Sequence, residues 1–393
     1  MAITKKELDS RCMAFQEKLR EQGVNGALIA LNSSMYYFSG TMQCQYIFIP
    51  AIGQSFGLVR KNMERAQQEA AIPLLPLPGF SSIPELIEEI GCKLPGRLGL
   101  ELDVVPAALY LRFLKLFPAS ELVDISVIAR EVRQVKSAYE LAQLEEAARQ
   151  VDCMNSCVPG LLVAGMEEIE LASELEAILR RLGHQGMARM RGFNQEMYYG
   201  HVLSGEAGGV ASFLDSPTGG TGLHPAQPQG PGRRKITVGE PVTVDYGGIH
   251  NGYVVDQTRL FSIGPLPARL NDAFAVALEI QSAMEKLLVP GMSGDKLYMT
   301  AAGIAAKAGL QDYFMGFGDT QAKFVGHGVG LEYNEFPVLA KGSPHILAEN
   351  HVVAVEPKFI FPGLGMVGIE NTWQITGSSA RRISITPDDH IIL

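Results

Sequence analysis

The sequence predicts a two-domain α/β chain: an N-terminal α/β domain followed by a C-terminal α+β domain. Three observations predict it. At 393 residues the chain is long for one compact core. Helical and strand-like periodicities alternate up to about Val135. Beyond that point helices alternate with paired β-rich runs that read as antiparallel hairpins.

The first helix is expected over about residues 5 to 22, where Leu8, Cys12, Phe15 and Leu19 form one stripe and Gly23 stops the run. The strand GALIAL follows, and a helix near SSIPELIEEIG and the strand GRLGLELD continue the α/β pattern. Ser137 with Glu140 forms a capping box that opens a helix carrying Leu141, Leu144, Ala148 and Val151. The domain boundary is placed at that box, giving domains 1–136 and 137–393. A second helix over Glu167 to Leu182 ends at Gly183. Residues 205–235 are dense in Gly and Pro and read as a long loop over the site, because strand-like sequence resumes directly after them. The segment AFAVALEIQSAMEKLL predicts a further helix.

Composition narrows the class. A hydrophobic fraction of 47%, punctuated by 42 glycines and 22 prolines, fits a folded enzyme rather than a disordered chain. The net charge of −9 and the lack of a basic stripe argue against nucleic acid as a partner. No stretch of eighteen uncharged apolar residues and no signal-like N-terminus appear, so no membrane span is expected and the cytoplasm is the expected location. The five cysteines, Cys12, Cys44, Cys92, Cys153 and Cys157, lack metal-ligand spacing, and Cys153 and Cys157 read as small apolar fillers on one helix face.

The chemistry is concentrated in the C-terminal half, in Asp245, Asp256, His327, Glu356 and Glu370. The first two lie in VTVDYGGIHNGYVVDQTRLF, a hairpin punctuated by Gly247, Gly248, Asn251 and Gly252. Pairing centred on His250-Asn251 sets Asp245 opposite Asp256, with Cβ atoms roughly 4.5–5.5 Å apart, and a slip of two residues keeps both on the same face. Glu356 and Glu370 are equidistant from Gly363 in a second hairpin, AVEPKFIFPGLGMVGIENTWQIT. Glutamates within strands are costly to bury without a partner, and four converging carboxylates repel one another unless cations join them. Two divalent ions bring four carboxylates to neutrality. His327, flanked by Gly326, Gly328 and Gly330, adds a nitrogen ligand. Such a set suits manganese, cobalt, iron or zinc.

With these residues in place, the chain resembles the pita-bread metallopeptidases, the family of prolidase, aminopeptidase P and methionine aminopeptidase, with creatinase as a relative. VDYGG and VVDQTR look like its two aspartate segments, VGHGVGLE its histidine segment, and VEP and IENT its glutamate segments. RQVKSAYELAQLEEAA resembles its entry into the catalytic domain, and the N-terminal part, with GALIALNSSMYYFSG, is similar to the creatinase-type N-terminal domain. The resemblance implies a creatinase-type domain joined to a pita-bread catalytic domain, two metal ions, and a homodimer. It also implies cleavage of short Xaa-Pro peptides by a water shared between the ions, with Glu356 as ligand and general acid/base together.

Several outer positions depart from the family pattern. Gln229, in Pro228-Gln229-Gly230, stands where prolidase-like enzymes carry an auxiliary histidine; Asn334 and Lys323 stand at two other such places. Gly368 replaces a frequent arginine, and Ile360 a tyrosine. Lys323 and Lys358 add cationic character near the presumed site, and His201 and His224 are candidates to stand in for the missing histidine. These changes keep open a lyase or amidohydrolase acting on a small carboxylate, and a non-catalytic binding module.

Overall fold

The computed structural model describes residues 3–214 and 216–393. Contacts divide the chain into two compact units, Met1–Arg133 and Gln134–Leu393.

The first unit is built on a mixed six-stranded sheet. Its strands are β1 (Gly26–Ile29), β2 (Tyr46–Pro50), β3 (Phe56–Val59), β4 (Leu74–Pro76), β5 (Arg97–Leu100) and β6 (Glu121–Asp124), in the order β4-β3-β2-β1-β5-β6. Helix α1 (Lys5–Glu21) starts where the Thr4 hydroxyl accepts from the Glu7 amide at 3.2 Å, and it buries the predicted stripe of Leu8, Cys12, Phe15 and Leu19. Shorter helices α2 (Asn32–Ser39), α3 (Met63–Glu69), α4 (Ile83–Glu89), α5 (Ala107–Leu116) and α6 (Ser126–Gln134) separate the strands. Leu28, Phe48, Phe56, Leu98 and Phe113 lie in the core between sheet and helices.

The second unit opens with α7 (Ala138–Leu161), whose start is the predicted capping box: Ser137 accepts from the Glu140 amide and Glu140 accepts from the Ser137 amide. Helix α8 (Glu168–Arg181) follows, then β7 (Gly200–Ser204), β8 (Val242–His250) and β9 (Tyr253–Ser262). These three strands and the C-terminal β17 (Ile391–Ile392) make a sheet ordered β17-β9-β8-β7. Helices α9 (Ala268–Leu287) and α10 (Gly294–Lys307) lead to β10 (Phe324–Gly328), β11 (Glu335–Ala340), β12 (Val352–Val355), β13 (Lys358–Phe361), β14 (Gly365–Gly368), β15 (Asn371–Ile375) and β16 (Ala380–Arg382). A second sheet runs β11-β10-β12-β15-β16, with β13 and β14 as a separate pair. Leu270, Phe274, Ile280 and Met284 of α9 are buried in one core with Val353, Val355, Phe359, Phe361 and Trp373.

Three expectations need correction. The aspartate hairpin is centred on Asn251-Gly252, both at positive φ (49° and 87°), so His250 pairs with Tyr253 and Asp245 with Thr258. An Asn-Gly pair adopts the tight turn that matches strand twist, and the register therefore slips by two residues from the expected one. Asp245 and Asp256 stay on one face, as diagonal neighbours. Gly247 and Gly248 are not turn residues but lie inside β8, with a Cβ on Gly248 falling 2.0 Å from the Ala147 carbonyl of α7. Cys153 is exposed and Cys157 half-buried, so they do not fill the core; all five thiols are free.

Candidate metal centre

The aspartates lie within a continuous ladder, whereas the glutamates sit where backbone pairing changes partners. Asp245 and Asp256 project from β8 and β9, and His327 from β10. Glu356 directly follows β12 and Glu370 directly precedes β15. The glutamate run keeps the expected symmetry about Gly363, since Val355 pairs with Asn371 and Lys358 with Gly368. It forms two short ladders rather than one hairpin, and Glu356 and Glu370 occupy the gap between them. There the Glu356 amide turns to the Val325 carbonyl (2.9 Å) and the Glu370 amide to the Thr258 carbonyl (3.3 Å). Those two bonds tie the glutamate gap to the histidine strand and to the aspartate hairpin.

Asp256, His327 and Glu370 offer ligand atoms that all lie within 4.8 Å of one another. His327 Nε2 is 3.5 Å from Glu356 Oε1 and 3.9 Å from Glu370 Oε1. Glu370 Oε2 accepts from the Thr258 hydroxyl at 2.9 Å, whereas the buried Oε1 has no hydrogen-bond partner. An orphaned buried carboxylate oxygen facing an imidazole is costly unless a cation completes it. The residues therefore fit a divalent metal ion, with imidazole and carboxylate donors suited to it.

The protonation pattern points the same way. Burial, reinforced by the charges of Glu370 and Asp245, pushes Asp256 well above the usual carboxylate range. Burial, opposed by Lys358 and reinforced by Glu356 and Asp245, pushes Glu370 up to about 8. Asp245 behaves oppositely: burial alone would raise it, but the Lys358 ammonium holds it below its ordinary value. Asp256 and Glu370 are thus the two carboxyls whose ionisation most needs a cation beside them.

The six outer candidates separate. Lys358 lies inside the carboxylate cluster, its Nζ donating to Asp245 Oδ2 (2.9 Å), Glu356 Oε2 (2.8 Å) and Glu370 Oε2 (3.1 Å). His201 is buried and pairs with Asp245 across β7 and β8; burial lowers its pKa, so the ring is neutral at ordinary pH. Gln229 is buried beside His201, its amide nitrogen donating to the Glu196 carbonyl at 3.2 Å while its Oε1 has no partner. The other three do not reach the site as expected. His224 is exposed, and its Nδ1 accepts from the Ala226 amide in a local turn. Asn334 accepts from the Arg191 amide (2.8 Å) and donates to its carbonyl (2.7 Å), which commits the side chain to holding a neighbouring segment. Lys323 is exposed and lines a separate cleft with Gln311, Asp319 and Lys341.

Sequence reading missed Tyr333. Its ring is buried, and a Cβ on Gly247 would fall 1.5 Å from the hydroxyl oxygen. Burial and the charges of Asp256, Asp245 and Glu370 push its pKa well above normal, so it stays a neutral phenol beside the carboxylates. Gly247 inside a strand was the available signal, since such a glycine marks a close approach. Thr258 was missed too, because the expected register did not place it opposite Asp245.

Comparison with known proteins gives these features a class. Residues 142–377 match metallopeptidase family M24, and residues 11–135 match the creatinase/prolidase N-terminal domain. An uncharacterized peptidase of Bacillus subtilis, YqhT, is 30% identical over 387 residues, 96% of this chain and 99% of that protein. A Pyrococcus furiosus protein described as an Xaa-Pro dipeptidase is 26% identical over 368 residues, covering 93% and 95% of the two chains. The fold matches an Xaa-Pro dipeptidase structure from Bacillus anthracis with a TM-score of 0.84 at 23% identity, covering 98% and 100%. It also matches the prolidase of Pyrococcus horikoshii OT3 with a TM-score of 0.80 at 23% identity, covering 97% and 100%.

The chain belongs to metallopeptidase family M24, with the creatinase-type N-terminal and pita-bread catalytic architecture of that family. It is a metal-dependent peptidase, and the family implies divalent metal ions; the lyase or amidohydrolase alternative is not favoured.

Proposed function

We propose that this protein is an Xaa-Pro dipeptidase or aminopeptidase that hydrolyses short peptides. The observation that carries the reading is the close grouping of Asp256, His327 and Glu370 around the orphaned Glu370 Oε1, in a chain whose relatives include proteins described as Xaa-Pro dipeptidases. Domain 1–136 is the N-terminal accessory part in this reading, and 137–393 the catalytic part. On the resemblance alone, the proposal extends to a cytoplasmic homodimer.

Asp256, His327 and Glu370 would hold the metal ion, manganese, cobalt, iron or zinc by the hardness of the donors. When bound, such an ion supplies Lewis acidity, polarising the scissile carbonyl and letting a water ionise near neutral pH. The chain's own groups then act around it. Glu356 presents Oε1 toward His327 and keeps Oε2 on Lys358. From that position Glu356 takes the proton from the attacking water and delivers it to the leaving nitrogen. Tyr333, held as a neutral phenol, offers a donor to charge developing on the carbonyl oxygen. Neutral His201 and the open Oε1 of Gln229 offer a donor and an acceptor to the peptide.

A panel of Xaa-Pro dipeptides and Xaa-Pro-Yaa tripeptides, assayed with manganese, cobalt or zinc after chelation, tests the reading. Metal-restored release of the N-terminal residue from Xaa-Pro peptides is expected. Cleavage confined to peptides lacking proline would overturn the substrate class.

A further inference from the structure

We propose that Lys358 is a built-in cation that stands in for one of two metal ions, so that this chain binds a single divalent ion between Asp256, His327 and Glu370. The inference rests on the metal-dependent reading above and goes beyond it in fixing the ion count.

An ammonium group has three protons to donate and no lone pair. Here each of the three goes to a different carboxylate: Asp245 at 2.9 Å, Glu356 at 2.8 Å and Glu370 at 3.1 Å. The group is thereby saturated at the point where these acids converge, and its side chain is only 3% exposed. A metal ion ligated by Asp245 Oδ2 and Glu370 Oε2 would have to enter the space that the ammonium fills, with no acceptor left to receive the displaced protons. The oxygens Lys358 leaves free are on the other side. Glu370 Oε1 has no partner, and Glu356 Oε1 faces His327 Nε2. Asp256 contributes no oxygen to Lys358 and lies with His327 and Glu370 in the one group of ligand atoms close enough to hold an ion among the described residues.

The backbone makes room for this arrangement. Lys358 on β13 pairs with Gly368 on β14. A Cβ at Gly368 would fall 2.7 Å from Lys358 Cγ and 2.8 Å from its Cα. Any side chain there collides with the base of the lysine stem, so the glycine and the lysine belong together. The pair moves a fixed positive charge into the cluster on a buried stem, where its hydrogen bonds orient Asp245 and Glu356 without a second ion.

The test is metal counting. Wild type, Lys358→Met and Asp245→Asn are dialysed to equilibrium against buffered manganese, and bound metal per chain is measured by elemental analysis, with thermal melts confirming that each variant is folded. The expected result is one ion in wild type, two in Lys358→Met, and one still in Asp245→Asn. Two ions in wild type, or one in a folded Lys358→Met, would overturn the proposal. Should Lys358→Met fail to fold, the wild-type and Asp245→Asn counts decide alone, and loss of an ion from Asp245→Asn counts against it. No ion in any of the three proteins would strike down the metal reading itself, a result distinct from failure of the Lys358 assignment.

Discussion

The aspartate hairpin and the glutamate run bring two acids each to the same site by opposite means. In the hairpin, β8 and β9 form one unbroken ladder from Val242 to Phe261, closed by the two-residue Asn251-Gly252 turn. Both aspartates are ordinary members of that ladder, and their position follows from the turn alone. In the glutamate run the ladder is interrupted between β12–β15 and β13–β14, and both glutamates lie in the interruption. Their backbone amides bond to Val325 and Thr258 on other strands. A continuous ladder fixes a face, whereas a broken one lets side chains converge from a third direction. The hairpin thus supplies rigidity, and the broken run supplies the junction where Lys358 can enter.

The sharpest contrast should appear in activity. Glu356→Gln keeps the shape at the junction but removes the proton carrier, and kcat should fall by about 10²–10⁴. Bound metal should remain, because the grouping of Asp256, His327 and Glu370 is untouched. Asp256→Asn in the hairpin should instead lose activity together with metal. If both variants lost metal equally, the division of labour between the two regions would be wrong.

The hairpin's rigidity should show in stability. Gly247→Ala drives a methyl group into the Tyr333 hydroxyl, 1.5 Å from where its Cβ would lie, and overpacking of this kind costs about 1–3 kcal/mol. Denaturant melts should register that loss; a wild-type midpoint would mean that the close approach of β8 and Tyr333 is not a feature of the folded protein.

A smaller effect separates the regions by pH. Each is bordered by a buried histidine with a strongly lowered pKa, His184 bonding the Gly247 carbonyl of β8 (3.1 Å) and His351 just before β12. Burial is the main cause in both, and each pKa is lowered to about 4. A depressed folded-state pKa means that stability is fully present above the unfolded value of about 6.5 and is lost as pH falls toward 4. His351→Gln should therefore flatten the acid limb of a stability profile by on the order of 1–2 kcal/mol, relative to wild type, with His184 left to account for the remainder. An acid limb between pH 6.5 and 4 unchanged by the substitution would remove His351 from the account.

Much of the fold was legible because it depends on local signals. The α1 stripe, the Ser137–Glu140 box and the symmetry about Gly363 are each set within a few residues of chain. The four acids could be singled out as candidates because carboxylates inside strand-like runs are conspicuous on chemical grounds, and His327 because of the glycines around it. What escaped depended on contacts distant in sequence. Tyr333 meets Gly247 across 86 residues of chain. Lys358 could be named as a cation near the site, but its place among three carboxylates emerges only when its stem is traced beside Gly368 into the cluster. His224 and Asn334 were chosen by position in the chain, and each is committed elsewhere by hydrogen bonds that periodicity does not encode.

The most direct measurement of the central claim is the metal content of His327→Ala beside wild type, after equilibrium dialysis and with folding confirmed by thermal melt. The imidazole is the only nitrogen donor in the grouping with Asp256 and Glu370, so bound metal should fall to a small fraction of the wild-type amount, and peptide hydrolysis with it. Undiminished metal in a folded His327→Ala protein would show that the ion, and the chemistry with it, resides elsewhere.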